Sequence, residues 1–163
     1  MSGGILPIHV NMLEFLRTGD FGGIRLGMTR QEVREILGEP PNWSITRKRK
    51  RSEMAAVWKY GSIEIYFEDA SGKVHMIFSD DFPLMGSETL QLDSWILREG
   101  LLLEDARLEL DKGNLKYQVA EESLIGATRL DFESGVRLRF HPPDEPINGN
   151  AAQELTAIVY SID

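Results

Sequence analysis

The stretch LGMTRQEVREILGEP, Leu26–Pro40, has the start signal and the stop signal of one short helix. Thr29 suits an N-cap, and Glu32 three residues later completes a capping box, in which each side chain bonds the other residue's backbone N–H. Gly38 suits a C-cap, and Pro40 cannot continue a helix. The apolar residues between these signals share one face, so we predict a capped amphipathic helix that packs against another element.

The residues around this helix extend the prediction in both directions. Before it, apolar residues in the range 12–16 recur at helical spacing and Gly19 follows as a stop, which predicts a helix-loop-helix. After it the hydrophobic period changes to two, which is typical of half-buried strands. The predicted strands of the first half cover 42–46, 55–60, 63–67 and 74–78, joined as an antiparallel meander.

Alternation within these strands predicts which side chains face the core. In 63–67 the isoleucines and Phe67 face inward, which leaves Glu64 and Tyr66 on the outer face. In 74–78 the same rule places Val74, Met76 and Phe78 inward, with His75 and Ile77 on the other side. If neighbouring strands pair in register, Lys59 and His75 join the outer face.

The second half of the chain repeats this order in weaker form. We predict a helical segment over 90–97 that ends near Gly100, and a second helix over Leu101–Lys112 that is closed by Gly113. A Pro/Gly/Asn-rich loop is expected over 142–151. Four strands are predicted in this half. One begins at 115, and the others cover 124–132, 135–140 and 155–159.

The two halves align with nearly constant spacing. Val33 falls on Leu108 at an offset of 75, and Ile65 falls on Leu138 at an offset of 73. Recurrence of the same element order indicates an internal duplication, with repeats at 1–82 and 83–163 that form one compact unit. In the second copy the outer-face positions of Glu64 and Tyr66 are taken by Arg137 and Arg139.

Composition limits the function classes. The 163 residues are 42% hydrophobic, which is enough to build a core, and they carry a formal net charge of −8. An acidic surface repels phosphate backbones, so we expect no nucleic-acid partner and favour basic proteins. The chain has no cysteine, which excludes disulfides and thiolate metal sites. We read no export signal and no membrane span at the N-terminus, and so expect a cytoplasmic protein.

The amino-acid sequence of the first half resembles a recurring bacterial motif. LGMTRQEVREILGEP, followed by VWKYGSIEIYF and GKVHMIF, is similar to the small outer-membrane lipoproteins of the SmpA/OmlA (BamE) family, over roughly Phe21 to Phe78. The doubled arrangement resembles beta-lactamase inhibitor protein (BLIP). The resemblance implies an α+β fold with helices on one face of a curved antiparallel sheet, and protein binding by the free face. This chain lacks the lipoprotein signal, and the second half reads LLLEDARLELDKGN.

Catalytic and metal sites find little support in the residue pattern. His9, His75 and His141 each lack a second ligand-type residue at helical or strand spacing. No phosphate-binding loop or nucleophile-elbow motif is present. We therefore expect no enzyme activity, no cofactor and no metal. The paired acids, interpreted as solvated turns, are Glu68-Asp69, Asp80-Asp81, Glu104-Asp105, Glu121-Glu122 and Asp144-Glu145.

The basic run RKRKR, 47–51, holds five of the 18 lysines and arginines. A solvated loop is the favoured interpretation, with contact to a partner as the second.

The outer face of the sheet is the strongest candidate site. A surface that mixes tyrosine, arginine, glutamate and histidine is typical of protein interfaces, and a plain solvated sheet face is the alternative. We expect a non-enzymatic protein-binding protein, in its most concrete form an inhibitor or immunity protein that covers the active site of a basic toxin or enzyme. A scaffold or assembly factor of the SmpA/OmlA type, a small-ligand-binding domain and an enzyme using His75 or a carboxylate pair remain as alternatives. The oligomeric state is left open. The residues assigned to the partner-binding face are Lys59, Glu64, Tyr66, His75, Arg137 and Arg139.

Overall fold

The computed structural model describes residues 5–45, 50–122, 124–144 and 152–162, and within them the fold is α+β. The helices are α1 (Met12–Thr18), α2 (Arg30–Leu37) and α3 (Leu103–Lys112). The strands are β1 (Ile8–Asn11), β2 (Asn42–Trp43), β3 (Val57–Tyr60), β4 (Ile63–Phe67), β5 (Val74–Ser79), β6 (Leu90–Asp93), β7 (Tyr117–Glu122), β8 (Ala127–Phe132), β9 (Val136–His141) and β10 (Glu154–Ser161).

Eight of these strands form one antiparallel sheet in the order β2-β3-β4-β5-β10-β9-β8-β7. The first half of the chain supplies four consecutive strands on one side and the second half supplies four on the other. The halves meet at β5 and β10, where Phe78 lies opposite Val159. Strands β1 and β6 pair separately, in parallel.

Local sequence signals account for the first two helices. Asn11 caps α1, since its side chain accepts a hydrogen bond from the Glu14 backbone N–H at 3.1 Å. The capping box of α2 is present, with Thr29 and Glu32 in their predicted roles. Gly19 and Gly38 end the two helices with φ near +75° and +73°, a region that favours glycine. The predicted capping box and the predicted helix ends at Gly19 and Gly38 are confirmed, whereas the Asn11 cap was not predicted.

The helices and one face of the large sheet share a single hydrophobic core. Trp58 is fully buried there, and its indole N–H donates to the Ser52 carbonyl at 2.6 Å. The centroid of the Phe67 ring lies 4.9 Å from that of the Trp58 ring, edge to face. The guanidinium groups of Arg30 and Arg34 lie over the Phe67 and Trp58 rings respectively, so the charged residues of α2 cover the rim of this core.

The helix predicted over 90–97 is wrong. Residues Leu90–Asp93 form strand β6, which pairs with β1 so that Ile8 lies opposite Leu90 and Val10 opposite Leu92. Leu90 and Leu92 are alternate residues of this strand, so their spacing fits the long-range pairing with β1. Trp95, with φ of +54°, then turns the chain away from a helical path.

The helix alignment of the two halves also needs correction. Leu108, which an offset of 75 aligns with buried Val33, is 55% exposed. The buried residues of α3 are Ala106 and Leu110, which correspond to Val33 and Leu37 at 106 − 33 = 73 and 110 − 37 = 73. The helices therefore follow the same offset of 73 as strands β4 and β9.

A β-bulge at His75 changes the faces of β5. Phe67 lies opposite Val74 and the next pair is Tyr66 with Met76, so β5 contains one extra residue at this point. Beyond the bulge the alternation is reversed. The side chains wrongly assigned are Met76 and Phe78, which lie on the outer face, and Ile77, which is buried.

Other predicted bounds differ by a few residues. Strand β2 covers only Asn42–Trp43, and β8 begins at Ala127 instead of 124. Thr46, residues 47–49 of the basic run and residues 145–151 of the predicted loop lie outside the described residues.

Candidate protein-binding face

The face of the large sheet that points away from the helices, here called the outer face, contains the predicted site residues. Pairing between β3 and β4 sets Lys59 opposite Glu64. Because directly opposed residues share a face, these two lie on the same side, and Tyr66 joins them two residues along. Arg137 and Arg139 alternate with buried residues of β9 and so project to this side as well.

Three rings, Tyr66, His75 and Phe78, form an aromatic patch on the first half of the outer face. The Tyr66 ring centroid lies 6.2 Å from that of His75 and 6.3 Å from that of Phe78, both edge to face. All three side chains are half-buried, so each leaves part of its ring accessible. The bulge at His75 makes this cluster possible, because it brings Phe78 to the same side as Tyr66.

Tyr66 is held as a hydrogen-bond donor. Its hydroxyl donates to Oε1 of Glu64 at 3.1 Å. Partial burial, the charge and hydrogen bond of Glu64, and the charge of Asp80 raise the pKa of Tyr66 from 10.0 to about 12. The phenol therefore stays protonated at neutral pH.

His75 lies on the outer face, as predicted, with its ring edge to face with Tyr66. Its Nδ1 is buried and has no hydrogen-bond partner among the described residues. Within the described ranges, no group of three or more histidines and acids is arranged to hold a metal ion.

Four charged residues form an ion-pair network on the second half of the outer face, and Arg137 lies opposite one of them, Asp131. Arg139 Nη2 lies 2.9 Å from Glu122 Oε2, and Arg129 Nη1 lies 3.8 Å from Glu122 Oε1. Arg129 also binds Asp131 through two parallel hydrogen bonds of 2.6 and 2.9 Å. Arg137 donates to Ser161 Oγ at 3.0 Å. We call Arg129, Arg137, Arg139, Glu122 and Asp131 the arginine network.

Three of the five members of this network were not predicted as site residues. Arg129 and Asp131 flank buried Leu130, so alternation in β8 was a usable signal for both. Glu122 was assigned to a solvated turn, although it is the last residue of β7 and pairs opposite Ala127. Its role depends on the β7–β8–β9 pairing, which no local pattern reveals.

The two parts of the outer face have opposite charge at matching positions. Lys59 lies opposite Glu64 in β3–β4, while Asp131 lies opposite Arg137 in β8–β9. A depression of about 340 Å³ borders the first pair and adds two further acids, Asp80 and Asp81. The first half is therefore acidic and aromatic, and the second half is rich in arginine.

The other two histidines differ in position. His9 is exposed on β1, whereas His141 follows Arg137 and Arg139 in the outward alternation of β9, with its Nδ1 2.6 Å from Thr156 Oγ1. At the end of the basic run, Arg51 forms an exposed ion pair with Glu53 at 3.6 Å, which is typical of a solvated loop.

Comparison of the chain with protein-family models, curated proteins and solved structures gave no match. In the described part of the chain, no helix is both long and apolar enough to cross a membrane.

Proposed function

We propose that this chain is a non-enzymatic protein-binding protein that uses the outer face of its sheet. The proposal is carried by one observation, the juxtaposition of the aromatic patch and the arginine network on a single surface. Tyrosine and arginine contribute most to many protein interfaces, because they combine large contact areas with directed hydrogen bonds. Here both types are pre-ordered by contacts within the chain, which lowers the entropy cost of binding.

The charge pattern favours a particular kind of partner. The acidic depression beside Glu64 suits a lysine or arginine of the partner, and the net charge of −8 attracts basic proteins over longer distances. A face that is acidic on one side and arginine-rich on the other also selects one orientation of the bound protein. An inhibitor or immunity protein that covers the active site of a basic toxin or enzyme fits this pattern.

We further propose that the two halves are tandem repeats in a BLIP-like arrangement. The support is positional: buried residues of α2 and α3, and of β4 and β9, correspond at the same offset of 73. The strand order, with four strands of each half meeting at β5 and β10, is what side-by-side repeats would produce.

Site-specific photo-crosslinking in the native host tests the binding surface. A photoreactive phenylalanine analogue is placed at Tyr66 or Arg139, and at Leu108 on the exposed side of α3 as the control. We expect the two outer-face positions to crosslink the same protein and the control position to leave it uncaptured. Capture from position 108 alone would contradict the proposal.

The purified partner then gives a quantitative test. We expect Tyr66→Ala with Arg139→Ala to weaken binding by about tenfold or more, with the thermal midpoint nearly unchanged, because both side chains are partly exposed. The matched control is Lys112→Ala on α3. Loss of the partner's activity in the complex would support inhibition, whereas a fully active bound partner would favour a scaffold of the SmpA/OmlA type.

A further inference from the structure

We infer that this chain forms a symmetric dimer in which strand β7 pairs antiparallel with β7 of a second copy. This surface lies at the edge of the sheet and shares Glu122 with the arginine network, but the pairing of β7 does not depend on the proposed function.

The two edges of the sheet differ in length. Strand β2 is two residues long, whereas β7 spans six residues, Tyr117–Glu122. Within the described residues, β7 pairs with β8 on one side and with no strand on the other. A long free edge presents backbone N–H and C=O groups ready to pair with another strand, and proteins that remain monomeric usually shorten or cover such edges.

The side chains of β7 match a second copy of the same strand. In a continuous sheet, directly opposed residues lie on the same face. The two-fold axis must therefore set one residue of β7 opposite its own copy. Setting it opposite its neighbour would join the inner face of one copy to the outer face of the other. Centring the axis on Val119 places Val119 opposite itself and Lys116 opposite Glu122 of the partner subunit, since 116 + 122 = 2 × 119. Val119 is 44% exposed, and the dimer gains two opposite-charge pairs, one at each end of the paired strands.

Two further features lie at the opposite ends of β7. At its C-terminal end Leu124 is fully exposed and Ile125 is 53% exposed. At its N-terminal end a groove of about 930 Å³ separates the strand from the end of α3. Aromatic, aliphatic and charged side chains line this groove, among them Arg107, Asn114, Leu115, Tyr117 and Phe132.

Antiparallel pairing brings these two features together. With the axis at Val119, the end of β7 in one copy, Glu122, lies opposite Lys116 at the start of the strand in the other, since 122 + 116 = 2 × 119. Residues 124–126 form the turn that follows β7, so each copy presents Leu124 and Ile125 beside the groove of the other. This contact is made twice by symmetry.

Side-chain contacts hold one wall of this groove in place. The Tyr117 hydroxyl donates to Asp111 Oδ1 at 2.9 Å and accepts from Arg107 Nε at 3.3 Å. Arg107 also lies 5.9 Å from the Tyr117 ring centroid. These contacts hold the Tyr117 ring beside Phe132, at a centroid distance of 6.2 Å, as one wall of the groove.

Single-cysteine crosslinking tests both the dimer and its register, because the chain has no cysteine of its own. In Val119→Cys the two thiols would lie on opposed residues, at a separation that a disulfide can span. We expect mild oxidation to convert this variant to a covalent dimer at least about tenfold faster than Gln118→Cys, whose counterpart across the axis is Ala120. Ile45→Cys, exposed near the other edge, is the second control.

Sedimentation velocity on the cysteine-free chain provides the independent measurement. We expect a concentration-dependent dimer in the micromolar range, weakened at least about 100-fold by Val119→Lys, which sets two like charges against each other. Leu124→Asp should also weaken it, whereas Ile45→Lys and Leu6→Asp, at exposed positions away from β7, should not. A chain that stays monomeric into the millimolar range, or a dimer insensitive to both Val119→Lys and Leu124→Asp, would overturn the inference.

Discussion

The two halves of the large sheet differ most where they face solvent and least where they face the helices. On the inner side, Trp58 of β3 and Leu130 of β8 occupy matching pairs, opposite Ile65 and Leu138 respectively, and all four are buried. On the outer side, Glu64 and Tyr66 correspond to Arg137 and Arg139. Core positions are constrained by close packing, whereas exposed positions can change charge at little cost in stability. The two halves therefore share a similar core and present different chemistry on the outer face.

The helices above the two halves differ in the same direction. α2 begins with a complete capping box, whereas Leu102, the N-cap of α3, makes no side-chain capping bond. The first half is therefore stabilised by local signals and by large aromatic residues.

The largest expected effect comes from the matching core positions. We expect Trp58→Ala to reduce the free energy of unfolding by about 4 kcal/mol and Leu130→Ala by about 3 kcal/mol. Trp58 loses more because its indole N–H bond to Ser52 and its contacts with Phe67 and Arg34 disappear with it. Urea denaturation followed by far-ultraviolet circular dichroism measures both. A clearly larger loss for Leu130→Ala would reverse the comparison.

A smaller effect is expected at the helix starts. Thr29→Ala should cost about 1 kcal/mol, because it removes the hydroxyl that accepts from the Glu32 backbone N–H at 3.2 Å. Leu102→Thr should stabilise the protein by about 0.5 kcal/mol, since it supplies a cap that α3 lacks. The two variants are compared by their thermal midpoints, with Leu102→Ala as the control. If Leu102→Thr proves as destabilising as Thr29→Ala, the Leu102 side chain contributes through packing instead.

The smallest expected effect is a difference in alkaline stability. Burial raises the pKa of Tyr60 above its usual range, and the pKa of Tyr66 is raised from 10.0 to about 12. A pKa raised by folding stabilises the protein fully below pH 10, and this contribution is lost as the pH rises towards 12. The matching positions in the second half are Phe132 and Arg139, so the effect belongs to the first half.

This difference is measured as the free energy of unfolding in urea from about pH 8 to about pH 12. We expect the native chain to lose stability above pH 10, and Tyr66→Phe to lose less over the same interval. The contribution of Tyr66 is small because its ring is partly exposed and solvent screens its interaction with Glu64. An identical decline in the native chain and in Tyr66→Phe would show that neither burial nor Glu64 raises the pKa of this tyrosine on folding.

Much of the candidate site was predictable, and the gaps have specific causes. Strict alternation in β4 and β9 placed Glu64, Tyr66, Arg137 and Arg139 on the outer face without knowledge of the pairing. Phe78 was assigned to the core, because a bulge depends on how a neighbouring strand fits and has no fixed local pattern. Glu122 was missed for a related reason, since its two arginine partners belong to other strands.

Short-range interactions explain what the sequence by itself determined: the capped helices α1 and α2, the strands that follow them and the alternation of buried and exposed side chains. Each depends on residues only a few positions apart. Tertiary structure alone decided that 90–93 is a strand paired with β1, that β5 meets β10, and that the aromatic patch and the arginine network share one surface. These features depend on contacts between distant segments, whose energies are large enough to override local preference.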